Sequence, residues 1–263
     1  MITKYENPKK LNIDEFLDLY KVSKKLKHNL ISSGCIKEVD GGVVIEDNGT
    51  NIIPFKSKID IVYEDDSVVV VNKPAGILIH SDGINETDTL LNRVAYHYHG
   101  HVDVKVIHRI DYDTTGLVLF SKNALSHAYL NYQMENGLIK KEYECIVHGT
   151  FKEKEGIIDK AIGSNRHENN KYLVTKNGKK AITKYKVIAC KANKSLLSVE
   201  ILTGRTHQIR VHMAYINHPI CSDKIYYKYE DMPLMLMSKK LTFITPSGFR
   251  VVEVEAKEGL KLW

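Results

Sequence analysis

Residues 106–121 read VIHRIDYDTTGLVLFS, a cluster of charged and polar side chains set between two apolar pieces. Residues 117–120 form an apolar strand following Gly116. His108, Arg109, Asp111 and Asp113 precede Thr114-Thr115-Gly116. The glycine permits a tight bend, and the threonines can bond local backbone. A carboxylate held on such a bend can project from a sheet into a cleft. Arg109 lies two residues from Asp111 and shares its face on an extended backbone. A structural aspartate in a turn meets the same description, so the residues alone leave both roles open.

Working outward, residues 68–72 read VVVVN, too short for a helix and rich in β-branched side chains. They are expected to form a buried strand, ended by Lys73-Pro74-Ala75-Gly76, with residues 77–79 continuing extended. Thr87 or Thr89 caps a helix over roughly 88–98. Asn123 or Ser126 starts another helix that ends near Gly137, and residues 143–147 read as a strand. Residues 164–180, SNRHENNKYLVTKNGKK, combine basic side chains with the turn signal Asn177-Gly178. A basic hairpin following a phosphate backbone and an ordinary solvated loop both fit. Residues 181–189 and 195–202 alternate as strands, and 206–216 look helical. Residues 234–237 and 241–244 read as two more short strands, and 249–254 as a last one. Many strands, few helices and no βαβα rhythm predict an α+β fold with a mixed, largely antiparallel central sheet flanked by helices and loops.

Residues 1–60 are expected to form a separate small region. Helical spacing recurs over 12–34, with Ser23 as a cap, and Gly41-Gly42 turns the chain between two short extended pieces. Residues 61–263 would then be the main domain, large enough to bury its own core.

The 263 residues carry 38 Lys and Arg against 32 Asp and Glu, a net charge of +6. This permits a nucleic-acid partner without demanding one. Cys35, Cys145, Cys190 and Cys221 show no CxxC or zinc-finger spacing and read as free thiols. His207 and His212, five apart, do not match a zinc helix motif, and His97 and His99 have no ligand set beside them. No metal is therefore expected. The first ten residues lack a signal-peptide apolar run, and no stretch is long enough for a membrane span. These features predict a cytoplasmic protein with no membrane partner.

His108-Arg109-Ile110-Asp111 with Thr114-Thr115-Gly116 resembles the HRLDxxTSG motif of RluA/RluD-type RNA pseudouridine synthases. Asn72-Lys73-Pro74-Ala75-Gly76 resembles that family's NKPxG turn. Lys141-Glu142-Tyr143 resembles its K-x-Y segment, residues 202–212 its TGRTHQIRVH segment, and residues 178–181 its GKxA strand entry. The matches run in order from about residue 62 to 250. Asn217 and Ser222 stand where two glycines are usual around His218-Pro219, and residues 236–238 where Leu-His-Ala is common. Residues 12–60 resemble a reduced S4 RNA-binding module.

The resemblance implies the pseudouridine synthase fold and isomerisation of specific uridines in structured RNA, ribosomal or transfer. It implies Asp111 as the catalytic carboxylate, Tyr143 packed near the base, and Arg205 as the ion partner of Asp111. Substrate contacts are expected from Arg109, His108, Thr115, Lys73, Arg166, Lys179 and Arg210. An isomerisation needs no redox step and hence no cofactor. No obligate protein partner is implied, and the chain is expected to be a monomer. Two other readings stay open: an RNA-binding protein without catalysis, and a nucleoside or glycoside hydrolase using Asp111 with Asp113.

Overall fold

The computed structural model describes residues 2–7, 9–46, 49–83, 87–228 and 232–262. Fifteen strands and five helices are described. They are β1 (Ile2–Glu6), α1 (Ile13–Leu19), α2 (Lys24–Ser32), β2 (Ile36–Val39), β3 (Gly42–Glu46), β4 (Asp60–Glu64), β5 (Val68–Lys73) and α3 (Leu90–His97). Next come β6 (Lys105–Val106), β7 (Thr115–Ser121), α4 (Ala124–Glu135), β8 (Lys140–His148), β9 (Glu155–Asp159), β10 (Ile162–Ser164) and β11 (Tyr172–Val174). The chain closes with β12 (Ile182–Lys191), β13 (Lys194–Ile201), α5 (Gln208–Tyr215), β14 (Leu236–Ile244) and β15 (Val251–Glu255).

Ten strands build the central sheet, in the order β4-β5-β7-β14-β8-β13-β12-β9, with β15 on β14 and β6 on β7. Every described pairing in it is antiparallel except β7 with β14. The α+β expectation, with its mixed and mostly antiparallel sheet, holds.

The VVVV run is buried on both faces of the sheet, as its composition requires. Val68 and Val70 join Leu117 and Leu119 in one core cluster. Val69 and Val71 join Val118 and Phe120 in another, under α3. This is the period of two written directly into packing. Helix starts follow the cap chemistry. The Ser23 side chain accepts from Leu26 N–H, Thr89 forms a capping box with Asn92, and Asn123 accepts from Ser126 N–H.

Four details differ from the reading of the sequence. Strands β1 and β9 were not expected. Each is short with an exposed alternate face, so its apolar signal is thin. Residues 77–79 are not a strand, although Ile77 and Ile79 are buried beside α3. The two strands expected at 234–244 are one, β14, with a register shift between Ser238 and Lys240 that breaks its alternation.

The parallel contact between β7 and β14 lies at the centre of the sheet, where Thr115 faces Met237 and Gly116 faces Ser238. Gly116 has φ +103°, and a Cβ there would run into the backbone of Ser238. Gly116→Ala is therefore expected to lose roughly 2–5 kcal/mol, from backbone strain and overpacking together. Urea denaturation of wild type and variant measures this directly.

The N-terminal sheet has the order β1-β3-β2. Tyr5, Phe16 and Tyr20 pack with Tyr129 of α4, and Tyr20 also meets Phe249 at 4.9 Å between ring centroids. The Tyr5 hydroxyl lies 2.8 Å from Ser126 Oγ and accepts from Asn123 Nδ2 at 2.9 Å. None of the four cysteines is in a disulfide; Cys145 and Cys221 are buried and Cys190 is exposed. Among the described residues no helix is long and apolar enough to cross a membrane.

Candidate active site

The loop from β6 to β7 carries Asp111 across the mouth of the sheet. Lys73, at the end of β5, holds it there. The residue is 1% exposed, and its ammonium donates to the carbonyls of Pro74, Ile77 and Tyr112 at 2.9, 3.1 and 2.8 Å. Gly76 N–H donates to the same Tyr112 carbonyl. The turn after β5 is thus tied to the residue next to Asp111. Burial pulls the Lys73 pKa down to about 8, against the charges of Asp113 and Asp111, which favour the ammonium.

Asp111 opens into a cleft of about 860 Å³. Its side chain is 23% exposed, and Oδ2 lies 3.2 Å from Arg210 Nη1. Arg210 reaches that point because a buried carboxylate grips its other edge. Nε and Nη2 each donate to Asp223 at 2.8 Å, with the Asp223 side chain wholly buried. Burial opposes the Arg210 charge, but bonding to Asp223 and the charges of Asp223 and Asp111 outweigh it and raise its pKa. The result is a fixed cation in the cleft wall.

The expectation for Arg205 is corrected. Arg205 does not pair with Asp111; its Nε donates to the Lys180 carbonyl at 2.9 Å. The cause is the turn into α5. Gln208 accepts from Arg205 N–H and Thr203 Oγ1, and donates to the Ile182 carbonyl and Thr183 Oγ1. That pins residues 203–205 against β12, so Arg205 turns towards the strand entry. Arg210, in the first turn of α5, faces inward instead.

Tyr143, His108, Arg109, Arg205 and Arg210 all line the cleft with Asp111. Tyr143 is 5% exposed, and burial, then the Asp111 charge, push its phenol pKa up. Arg109 is exposed, with Nη1 3.4 Å from His80 Nε2. Arg166 and Lys179 line a second groove of about 770 Å³, which shares Tyr172, Gly204, Arg205 and Thr206 with the first. The basic stretch around them is a hairpin, β10 against β11.

Three expected substrate contacts have other tasks. The Lys73 ammonium is used on backbone carbonyls and is not in the cleft lining. Thr115 opens β7 in the sheet, and Thr114 lines the cleft in its place. The His108 ring is buried and its Nε2 accepts from Leu119 N–H at 3.2 Å. Burial, with help from the Lys141 charge, lowers its pKa to about 3. A histidine held neutral binds fewer protons folded than unfolded between its two pKa values. Its contribution is complete above about 6.5 and is lost as pH falls towards 3, at ~1.4 kcal/mol per pH unit. His108→Gln is expected to lose less stability than wild type between pH 6.5 and 4 in urea melts.

His207, which the sequence offers only as a residue without a zinc-motif partner, lies in the cleft. It is the N-cap of α5 with φ 54°, a left-handed conformation uncommon outside glycine. Its Nε2 is 4.0 Å from Asp111 Oδ2, and its Nδ1 is 2.9 Å from the Tyr226 hydroxyl. Burial lowers its pKa, partly offset by the Asp111 charge. Asp223 is a further residue of the site that the motifs do not single out. Its signal is an acid one residue beyond the apolar residues 219–221, with only Ser222 between, where burial calls for a charged partner. Asp113, the second carboxylate of the hydrolase reading, is outside the cleft lining and pairs with Lys224 at 2.9 Å.

The family model for RNA pseudouridylate synthase matches residues 67–215. That span contains Asp111, Tyr143, His207 and Arg210. Among curated proteins, the uncharacterized RNA pseudouridine synthase YhcT of Bacillus subtilis (strain 168) is 37% identical over 210 residues, covering 77% of this chain and 70% of that protein. Ribosomal large subunit pseudouridine synthase D of Borreliella burgdorferi is 37% identical over 201 residues, covering 72% and 62%. Of solved structures, human RNA Pseudouridylate Synthase Domain Containing 1 aligns with a TM-score of 0.66 at 24% identity, over 76% of this chain and 84% of that one. That likeness supports the fold. With the family model spanning more than half the chain and curated relatives above 30% identity, the chain belongs to the RluA/RluD-type RNA pseudouridine synthases.

Proposed function

We propose that this enzyme isomerises uridine in large-subunit ribosomal RNA, in preference to transfer RNA, with Asp111 as the catalytic carboxylate. One observation carries the reading: a partly exposed carboxylate in a deep cleft, held 3.2 Å from an arginine that a second, buried carboxylate keeps in place. Such a cleft suits an extruded base, because a uridine has to leave its stack before its glycosidic bond can be reached. That costs a few kcal/mol and is cheapest in a loop or weak pair, which favours structured RNA loops as substrates.

Asp111 attacks the extruded nucleotide while Arg210 holds the carboxylate in place. Tyr143 packs against the uracil; its raised pKa keeps the phenol protonated, so it acts as a surface and a hydrogen-bond donor. Arg109, Arg205, Arg166 and Lys179 line the cleft and its adjoining groove and meet the phosphate backbone. Residues 1–60 act mainly as a buttress, fastened to α4 by their aromatic cluster, and the enzyme works as a cytoplasmic monomer. Support for the ribosomal target comes from relatives named ribosomal large subunit pseudouridine synthase D.

The test is a comparison of chemically mapped pseudouridines in cells with and without the gene. Loss of one or a few sites in large-subunit ribosomal RNA is the expected result. Loss confined to transfer RNA would overturn the target. Release of free uracil by the purified enzyme would instead indicate a hydrolase, since isomerisation changes no mass.

A further inference from the structure

Among the described residues three lysines are almost fully buried: Lys73, Lys122 and Lys141, at 1%, 5% and 8% exposure. Two are satisfied. Lys73 has its three carbonyls, and Lys122 bonds Glu64 Oε1 and the Asp65 carbonyl, each at 2.8 Å. Lys141 is the exception. Among the described residues its ammonium has no carboxylate or carbonyl partner, and burial alone acts on it, lowering its pKa. An ammonium without a protein partner in a cleft wall is free to pair with negative charge that a bound substrate brings or develops.

The position of Lys141 indicates what that is. It lines the Asp111 cleft, and its Nζ lies 3.9 Å from the point a Cβ on Gly204 would occupy, at the cleft wall. On β8 it alternates inward with Tyr143, two residues on, so the two share one face about 7 Å apart. The Asp111 charge acts on Tyr143, and the Lys141 charge acts on His108. A carboxylate thus attends one part of the cleft and a bare ammonium another, with the aromatic ring on the same strand.

We propose that the Lys141 ammonium is a catalytic group that stabilises negative charge on the uracil ring during isomerisation. The proposal rests on uridine isomerisation in this cleft. The C1′–N1 bond breaks with its electron pair left on the ring, where it spreads over N1, O2 and O4. The ring turns, C5 bonds to C1′, and the proton lost from C5 is balanced by one gained at N1. The product is an isomer, and no oxidant or co-reactant enters. Addition of the carboxylate to the ring first would also place negative charge on the ring oxygens. A cation in the cleft wall lowers the energy of either species, and does little for the neutral ground-state base.

The test compares wild type with Lys141→Met, a neutral side chain of similar length, and with Lys141→Arg. Single-turnover isomerisation and RNA binding are measured together, with thermal melts to establish folding. Lys141→Met is expected to bind RNA within about threefold of wild type and to react ~10²–10³-fold more slowly, with Lys141→Arg between them. A second substrate separates catalysis from packing. RNA carrying 5-fluorouridine leaves a ring that holds negative charge more readily, so the Met defect in C1′–N1 cleavage should shrink at least about tenfold on it. Equal defects on both substrates would overturn the proposal. So would a loss confined to binding, which would make Lys141 a phosphate anchor, or a rate within threefold of wild type. If wild type converts no uridine at all, it is the reading of the cleft that fails.

Discussion

Asp111→Asn is expected to lower the isomerisation rate by at least ~10³-fold, about 4 kcal/mol of barrier, while the protein stays folded and still binds RNA. The size follows from the role. An amide of the same shape cannot attack as a carboxylate does, and Asp113, the nearest acid in sequence, is outside the cleft lining and engaged by Lys224. The small stability effect follows from the geometry. Removing the Asp111 charge leaves Arg210 with both bonds to Asp223, so no buried charge is stranded. A partly exposed contact of 3.2 Å is worth no more than about 1 kcal/mol. Binding and activity should therefore separate cleanly. A non-catalytic RNA-binding protein would show no change in any RNA product.

Arg210→Met should behave in the opposite way. It removes the partner of a carboxylate whose side chain has no solvent exposure. The Asp223 oxygens keep backbone N–H groups of Ile225 and Tyr226, but these do not neutralise a buried charge. Breaking such a pair from one side costs about 3–5 kcal/mol. The variant is expected to melt well below wild type and to lose activity as well, since Asp111 loses its cation. The double variant Arg210→Met with Asp223→Leu removes both charges and should regain much of the stability but none of the activity. Denaturation of the four proteins forms the cycle that measures this coupling. Recovery of activity in the double variant would show that Arg210 matters only as a structural residue.

Much of the central sheet was legible because its strands alternate or are wholly apolar. The four valines of β5 divide between two core clusters, and β13 places Leu197 and Val199 in one. Caps at Ser23, Thr89 and Asn123 marked helix starts for the same local reason. What failed was structure set by distant partners. Strand β1 forms because β3 is there to pair with it. The bulge in β14 hides a single strand from a pattern of period two.

The site divides along the same line. Asp111 and Tyr143 came from motifs, and both line the cleft. Choosing between Arg205 and Arg210 needed the direction of the chain entering α5, which Gln208 sets through bonds to β12, some 25 residues away. Lys73 looks like cleft chemistry in sequence, because a buried lysine on carbonyls and a solvent-facing one have the same letter. Burial decides, and it is a property of the whole fold.

Isomerisation replaces the C5–H bond of uridine with a C5–C1′ bond, so tritium release from RNA labelled at uridine C5, matched to pseudouridine formed, reports the reaction itself. Wild-type enzyme with ribosomal RNA should release tritium in step with pseudouridine formed, with no free uracil, and the protein with asparagine at position 111 should release none. Equal release by the two proteins would contradict the assignment of this carboxylate to the chemistry.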